Sequence, residues 1–138
     1  MSGNNKLIIM NLESKKSVVN KSQKEFFEFL TNLQNFEKLM PENIDKFEVD
    51  GESFLFSLKG MPEIRLVIKE KNEFDKIVLS AASSKLNFSL TALIQSISEN
   101  TCEAQLLFTG DFNPMMAMMV KSPLQKFINT LAENSEKL

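Results

Sequence analysis

The chain contains no histidine, no tyrosine and no tryptophan. Histidine is the commonest general base near neutral pH and the commonest metal ligand, so its absence removes much of the usual hydrolytic and zinc chemistry. Any catalysis would have to run on Asp, Glu, Lys, Arg, Ser, Thr or Cys. Cys102 is the only cysteine, which excludes an intrachain disulfide and fits a reducing compartment. It sits in an alternating apolar pattern, where it reads as a small buried hydrophobe. No candidate base stands beside it in sequence to make it a nucleophile. Only four glycines are present, and none builds a phosphate-cradling loop. The carboxylates Asp45, Glu48, Asp50 and Glu52 lack the spacing of a calcium loop. No metal and no cofactor is expected.

Strong charge and long hydrophobic runs are missing too. Sixteen basic and eighteen acidic residues leave a net charge of -2. Without a long basic run there is no electrostatic footprint for nucleic acid. The apolar run Leu7 to Met10 near the amino terminus is too short for a signal-peptide core, and no small-residue cleavage site follows it. No stretch approaches the roughly twenty apolar residues of a membrane span. The expected location is the cytoplasm. The length of 138 residues fits one domain over 1–138, with residues 1–5 a frayed end.

What the chain does have is hydrophobic periodicity. Leu7 to Val19 reads as a long first strand. Ser22 and Glu25 have the spacing of a capping box and predict a helix with Phe26, Phe29, Leu30 and Leu33 on one face and Phe27 at its edge. Asn35 is the expected cap of a second short helix carrying Phe36, Leu39 and Met40, stopped by Pro41. Six further strands follow. They start with Ile44 to Val49, which an Asp50-Gly51 turn joins to a strand carrying Phe54, Phe56 and Leu58. The next carries Ile64, Leu66 and Ile68, and then comes Ile77 to Ser83. Phe88, Leu90, Ala92 and Ile94 mark the inner row of the sixth strand. Cys102, Ala104, Leu106 and Phe108 mark that of the seventh. Asn113 and Pro114 open a long closing helix. Its stripe of Met116, Val120, Leu124, Phe127 and Leu131 has helical spacing. Pro123 lies inside it, and a kink near Met119 is expected instead of an end.

This order of strand, two short helices, six strands and a long helix resembles the START-like superfamily, also called SRPBCC, of polyketide cyclase/dehydrase and lipid-transport proteins. The stretch VVNKSQKEFFEFLTNLQNFEKLMPENI is similar to the opening of that family, and LQKFINTLAENSEKL to its closing helix. The resemblance runs from Leu7 to Leu138. It implies an α+β helix-grip fold, in which a seven-stranded curved antiparallel sheet wraps around the carboxy-terminal helix and leaves a cavity between them. Members of the family bind lipids, sterols or polyketides there, and some are cyclases or regulatory co-chaperones. The family has no shared catalytic residues, and none is assigned here.

The expected function is binding or transport of a small hydrophobic, lipid-like or polyketide-like ligand. Its expected contacts are Phe54, Phe56, Ile64, Leu66, Leu79, Leu90, Leu106, Phe108, Met116, Met119 and Val120. The same pattern suits a filled core, and Met116 and Met119 fit either role. Met115 and Met118 lie off the stripe and suit an exposed apolar patch. Glu63 and Arg65 either pair across a cavity mouth or sit on the strand surface. Asp111 suits the positive end of the last helix. Ser80, Ser83, Thr91 and Gln95 offer polar contacts if they point inward. Two other readings stand beside the carrier. One is a cyclase or dehydratase with an inward carboxylate or lysine. The other is an interaction module that binds or forms a homodimer through its sheet edge or methionine face.

Overall fold

A computed structural model describes residues 6–82 and 87–138. The first strand divides into β1 (Ile8–Glu13) and β2 (Ser17–Val19), followed by helix α1 (Gln23–Thr31) and a 3-10 helix (Leu33–Leu39). A meander follows: β3 (Ile44–Asp50), β4 (Ser53–Leu58), β5 (Ile64–Asn72), β6 (Lys76–Ala81), β7 (Asn87–Ser96) and β8 (Cys102–Phe112). Helix α2 (Pro114–Ser135) closes the chain. The strands form one antiparallel sheet in the order β1-β8-β7-β6-β5-β4-β3, with β2 also paired to β8. This is the α+β helix-grip architecture. Among the described residues no helix is long and apolar enough to cross a membrane.

The break in the predicted first strand has a local cause. Five residues from Glu13 to Ser17 lie opposite four from Leu107 to Ala104, so the strand bulges by one residue. Ser14 holds the bulge. Its hydroxyl accepts from the Leu106 amide at 2.9 Å, and its own amide donates to the Leu106 carbonyl at 2.8 Å. Register shifts in β3 after Ile44 and in β5 after Ile68 bend those strands and help the sheet curl.

The capping box forms as its spacing predicts. Ser22 accepts from the Glu25 amide, and Glu25 accepts from the Ser22 amide. Those hydrogen bonds hold the Glu25 carboxyl below its usual pKa, first through the Ser22 backbone and then through its side chain. The second cap falls elsewhere than expected. Asn32, not Asn35, caps the 3-10 helix, while the Asn35 side chain reaches back to the Phe29 carbonyl. The β3–β4 loop is likewise one residue later than expected. Asp50 pairs with Ser53, so the loop is Gly51-Glu52, with Gly51 at a φ of 62° that suits glycine.

The core lies between the concave face of the sheet and the helices. Phe26, Phe27 and Leu30 of α1, and Leu33, Phe36 and Leu39 of the 3-10 helix, are buried in it. From α2 it takes Ala117, Val120, Leu124, Phe127, Ile128 and Leu131. Met116 therefore does not belong to the inward stripe; Ala117 takes the first place. Helix α2 continues through Pro123 and does not end there. Its far end is tied to the 3-10 helix, where the Asn134 amide donates to the Leu39 carbonyl at 2.8 Å.

Candidate functional site: the groove between sheet and closing helix

Helix α2 meets β4 through stacked rings. Phe127 and Phe56 lie 5.1 Å apart between centroids and within 7° of parallel. Beside this stack is a groove of about 610 Å³. Pro41, Glu42 and Asn43, on the approach to β3, and Leu58, Lys59 and Met61, at the end of β4, lie side by side as one wall. Helix α2 supplies Ser122, Pro123, Lys126, Phe127 and Thr130. The strand-side wall is held by backbone bonds. The Lys59 amide donates to the Asn43 carbonyl at 2.9 Å, and the Met61 amide to the Leu58 carbonyl at 2.9 Å. Leu58, Met61, Phe127 and the two prolines make an apolar bed. Lys59 and Lys126 are exposed at its margin and form no ion pair with any described residue.

The expected ligand contacts lie behind and beside this groove, and none of them lines it. Phe54, Phe56, Leu66 and Leu79 are buried in the core, as are Leu90, Leu106, Phe108 and Val120. Ile64 is half-buried against the same cluster. Their rings pack in two rows. Phe54 stacks on Phe36 at 5.1 Å and on Phe47 at 5.2 Å, and Phe108 stacks on Phe88 at 5.5 Å. Met116 and Met119 are 40% and 64% exposed. By helical spacing they share the flank of Pro123 and Lys126, one to two turns nearer the start of α2. Met115 and Met118 are more exposed still.

Polar candidates go elsewhere. Glu63 pairs with Lys46 at 3.2 Å, whereas Arg65 donates to the Ser53 hydroxyl at 2.9 Å, so Glu63 and Arg65 do not pair with each other. Asp111 accepts from the Asn87 side chain at 2.5 Å, and Asn113, not Asp111, caps α2. Ser80, Thr91 and Gln95 alternate with the buried Leu79, Leu90, Ala92 and Ile94, which places them on the outer face. Ser83 lies outside the described residues. Cys102 is fully buried, and burial pushes its thiol up to about 11. At neutral pH it is therefore a protonated packing group and not a nucleophile. Among the described residues the buried polar side chains are all serines, and no cluster of metal-ligating side chains forms. The groove itself was invisible to periodicity, because Pro41, Lys59 and Met61 belong to turns. The only signal in the sequence was the pair of prolines, Pro41 just after the 3-10 helix and Pro123 inside α2.

No protein-family model matches this sequence, and no curated protein matches it. Solved structures do. Norcoclaurine synthase from Thalictrum flavum superposes with a TM-score of 0.75 at 9% identity, covering 99% of this chain and 90% of that one. A START superfamily protein from Mycobacterium smegmatis gives 0.66 at 11% identity, with 94% of each chain covered. The protein XoxI from Bacillus cereus gives 0.68 at 9% identity over 96% of this chain and 94% of that one. The fold is thus START-like, as the order of elements implied. At such identities the likeness extends to the fold alone.

Proposed function

We propose that the protein binds a small hydrophobic ligand, lipid-like or polyketide-like, between the sheet and the closing helix. The groove of about 610 Å³, bedded on Leu58, Met61 and Phe127, carries this reading. Its size and apolar lining suit a small molecule. Burying about 200 Å² of apolar ligand surface would contribute about 5 kcal/mol before the costs of association. Met116 and Met119 extend the apolar flank beyond the groove and would touch the protruding part of the ligand. Phe56 stands directly behind Phe127, with Phe54, Ile64, Leu66 and Val120 in the same core. These, with Leu79, Leu90, Leu106 and Phe108, would form the inner wall if Phe127 swung aside. Norcoclaurine synthase has been solved in complex with dopamine and hydroxybenzaldehyde, which supports a small-molecule site on this architecture. We place the protein in the cytoplasm on its single buried thiol, with a second copy of the chain as a further partner.

The test is native mass spectrometry of protein purified from a lipid-rich host, joined to a panel of apolar fluorescent probes. A copurified apolar molecule is expected. Met61→Arg, which puts a charge into the groove, should abolish probe binding without lowering the melting temperature. If repeated preparations carry nothing and no probe binds, the proposal fails.

A further inference from the structure

The two edges of the sheet differ in kind. The β3 edge carries Asp45, Lys46, Glu48 and Asp50, and such charges discourage a further strand from adding. The β1 edge has no charged residue from Leu7 to Leu12. Helix α2 guards only part of it. The Gln125 side chain donates to the Glu13 carbonyl at 2.9 Å, and the Asn129 side chain accepts from the Lys15 amide at 3.2 Å. Four helix residues thus accompany two strand residues, as rises of about 1.5 Å and 3.3 Å per residue require.

The same row continues toward the start of both elements. The row of Asn129 and Gln125 passes next through the exposed Lys121, level with Asn11, and Met118 follows on the same flank, level with Ile9 and Met10. Met115 comes level with Ile8. The register agrees, since Ile8 pairs with Phe112, directly before the cap of α2. A thioether cannot donate to a carbonyl or accept well from an amide, so these methionines cannot do what Gln125 and Asn129 do. From Ile8 to Asn11 the outward backbone groups have no partner among the described residues. Beside them Met115 and Met118 stand on the helix side, exposed by 74% and 84%, and Ile9, exposed by 67%, stands on the outer face of the sheet.

We propose that this edge pairs antiparallel with the same edge of a second copy, making one continuous sheet across a twofold axis, with Met115 and Met118 of both copies packed along the seam. A strand is the fitting occupant because a lipid surface cannot satisfy the outward amides and carbonyls. A second copy fits because the segment is uncharged between Lys6 and Glu13. Antiparallel pairing brings the Lys6 end of one copy to the Glu13 end of the other, twice. The exposed apolar side chains are divided between the two faces of the edge, so the contact is smaller than the roughly 1,000 Å² total of a minimal specific interface, and the dimer exchanges with monomer.

Sedimentation velocity on the full chain over a concentration series tests this. A dimer fraction that grows with concentration is expected. Ile9→Lys and Met118→Lys, both at exposed positions, should each raise the dissociation constant about tenfold or more by facing like charges across the seam. Ile97→Lys, at an exposed position in the β7–β8 turn, should leave association unchanged. The proposal is overturned by a monomer at every concentration, by a dimer indifferent to Ile9→Lys, or by a monomer that instead sediments with phosphatidylglycerol vesicles.

Discussion

Gly110 and Phe88 face each other across β8 and β7, so closely that a methyl group on Gly110 would stand 2.8 Å from the Phe88 Cβ. The rings of Phe112 and Phe108 close the remaining space, at 2.9 and 3.2 Å from that point. The Phe88 Cβ is fixed by its backbone and cannot swing away. Gly110→Ala should therefore cost about 1–3 kcal/mol through overpacking. Urea denaturation measures this, and a neutral result would show that the two strands separate easily.

Phe127 links the closing helix to β4 through its stack on Phe56. Phe127→Ala should cost about 3–5 kcal/mol by transfer and cavity effects together. It also removes one wall of the groove. An apolar dye should then bind more strongly to the folded variant than to the parent, even as the urea midpoint falls.

Ser14→Ala removes the hydroxyl that receives the buried Leu106 amide at the β1–β2 bulge. That side chain is 4% exposed, so water cannot easily replace it. A loss of about 1–3 kcal/mol is expected. Thermal melts of the two proteins compare them directly, and an unchanged midpoint would mean that the bulge does not need its staple.

Burial pushes the Cys102 thiol up to about 11, above its ordinary range, because a buried site disfavours the thiolate. The folded state therefore holds its proton more tightly than the unfolded state. The resulting stability is fully present below about pH 9 and is lost as pH rises toward 11. A thiol reagent at pH 8 should label Cys102 only after denaturant unfolds the chain. Cys102→Ala should remove this contribution to the alkaline loss of stability.

Much of the fold was legible because alternation and helical spacing are local. The inner rows of β7 and β8, the Ser22–Glu25 box and the Asn113 cap stand where their patterns put them. The misplaced features depended on neighbours. Asn32 and Asn35 are equally good caps in sequence. Asn32 is the cap because the helix begins at Leu33, so that Asn32 accepts from the Gln34 amide while Asn35 already lies inside the helix. The split at Ser14 follows from pairing with β8 and has no local signature.

The sequence by itself determined which faces are apolar, where the turns fall and in what order the elements come, since these rest on side-chain periodicity and backbone preferences within a few residues. Only the tertiary structure decided how far the sheet covers the closing helix. The first turns of α2 lie at its margin, so Ala117 is buried while Met115, Met116, Met118 and Met119 face outward. It also decided that Phe54, Phe56 and Phe108 pack against other rings, and that the groove opens beside Phe127 between turns far apart in the chain. Both outcomes depend on how elements distant in sequence fill shared space, which periodicity along one segment does not encode.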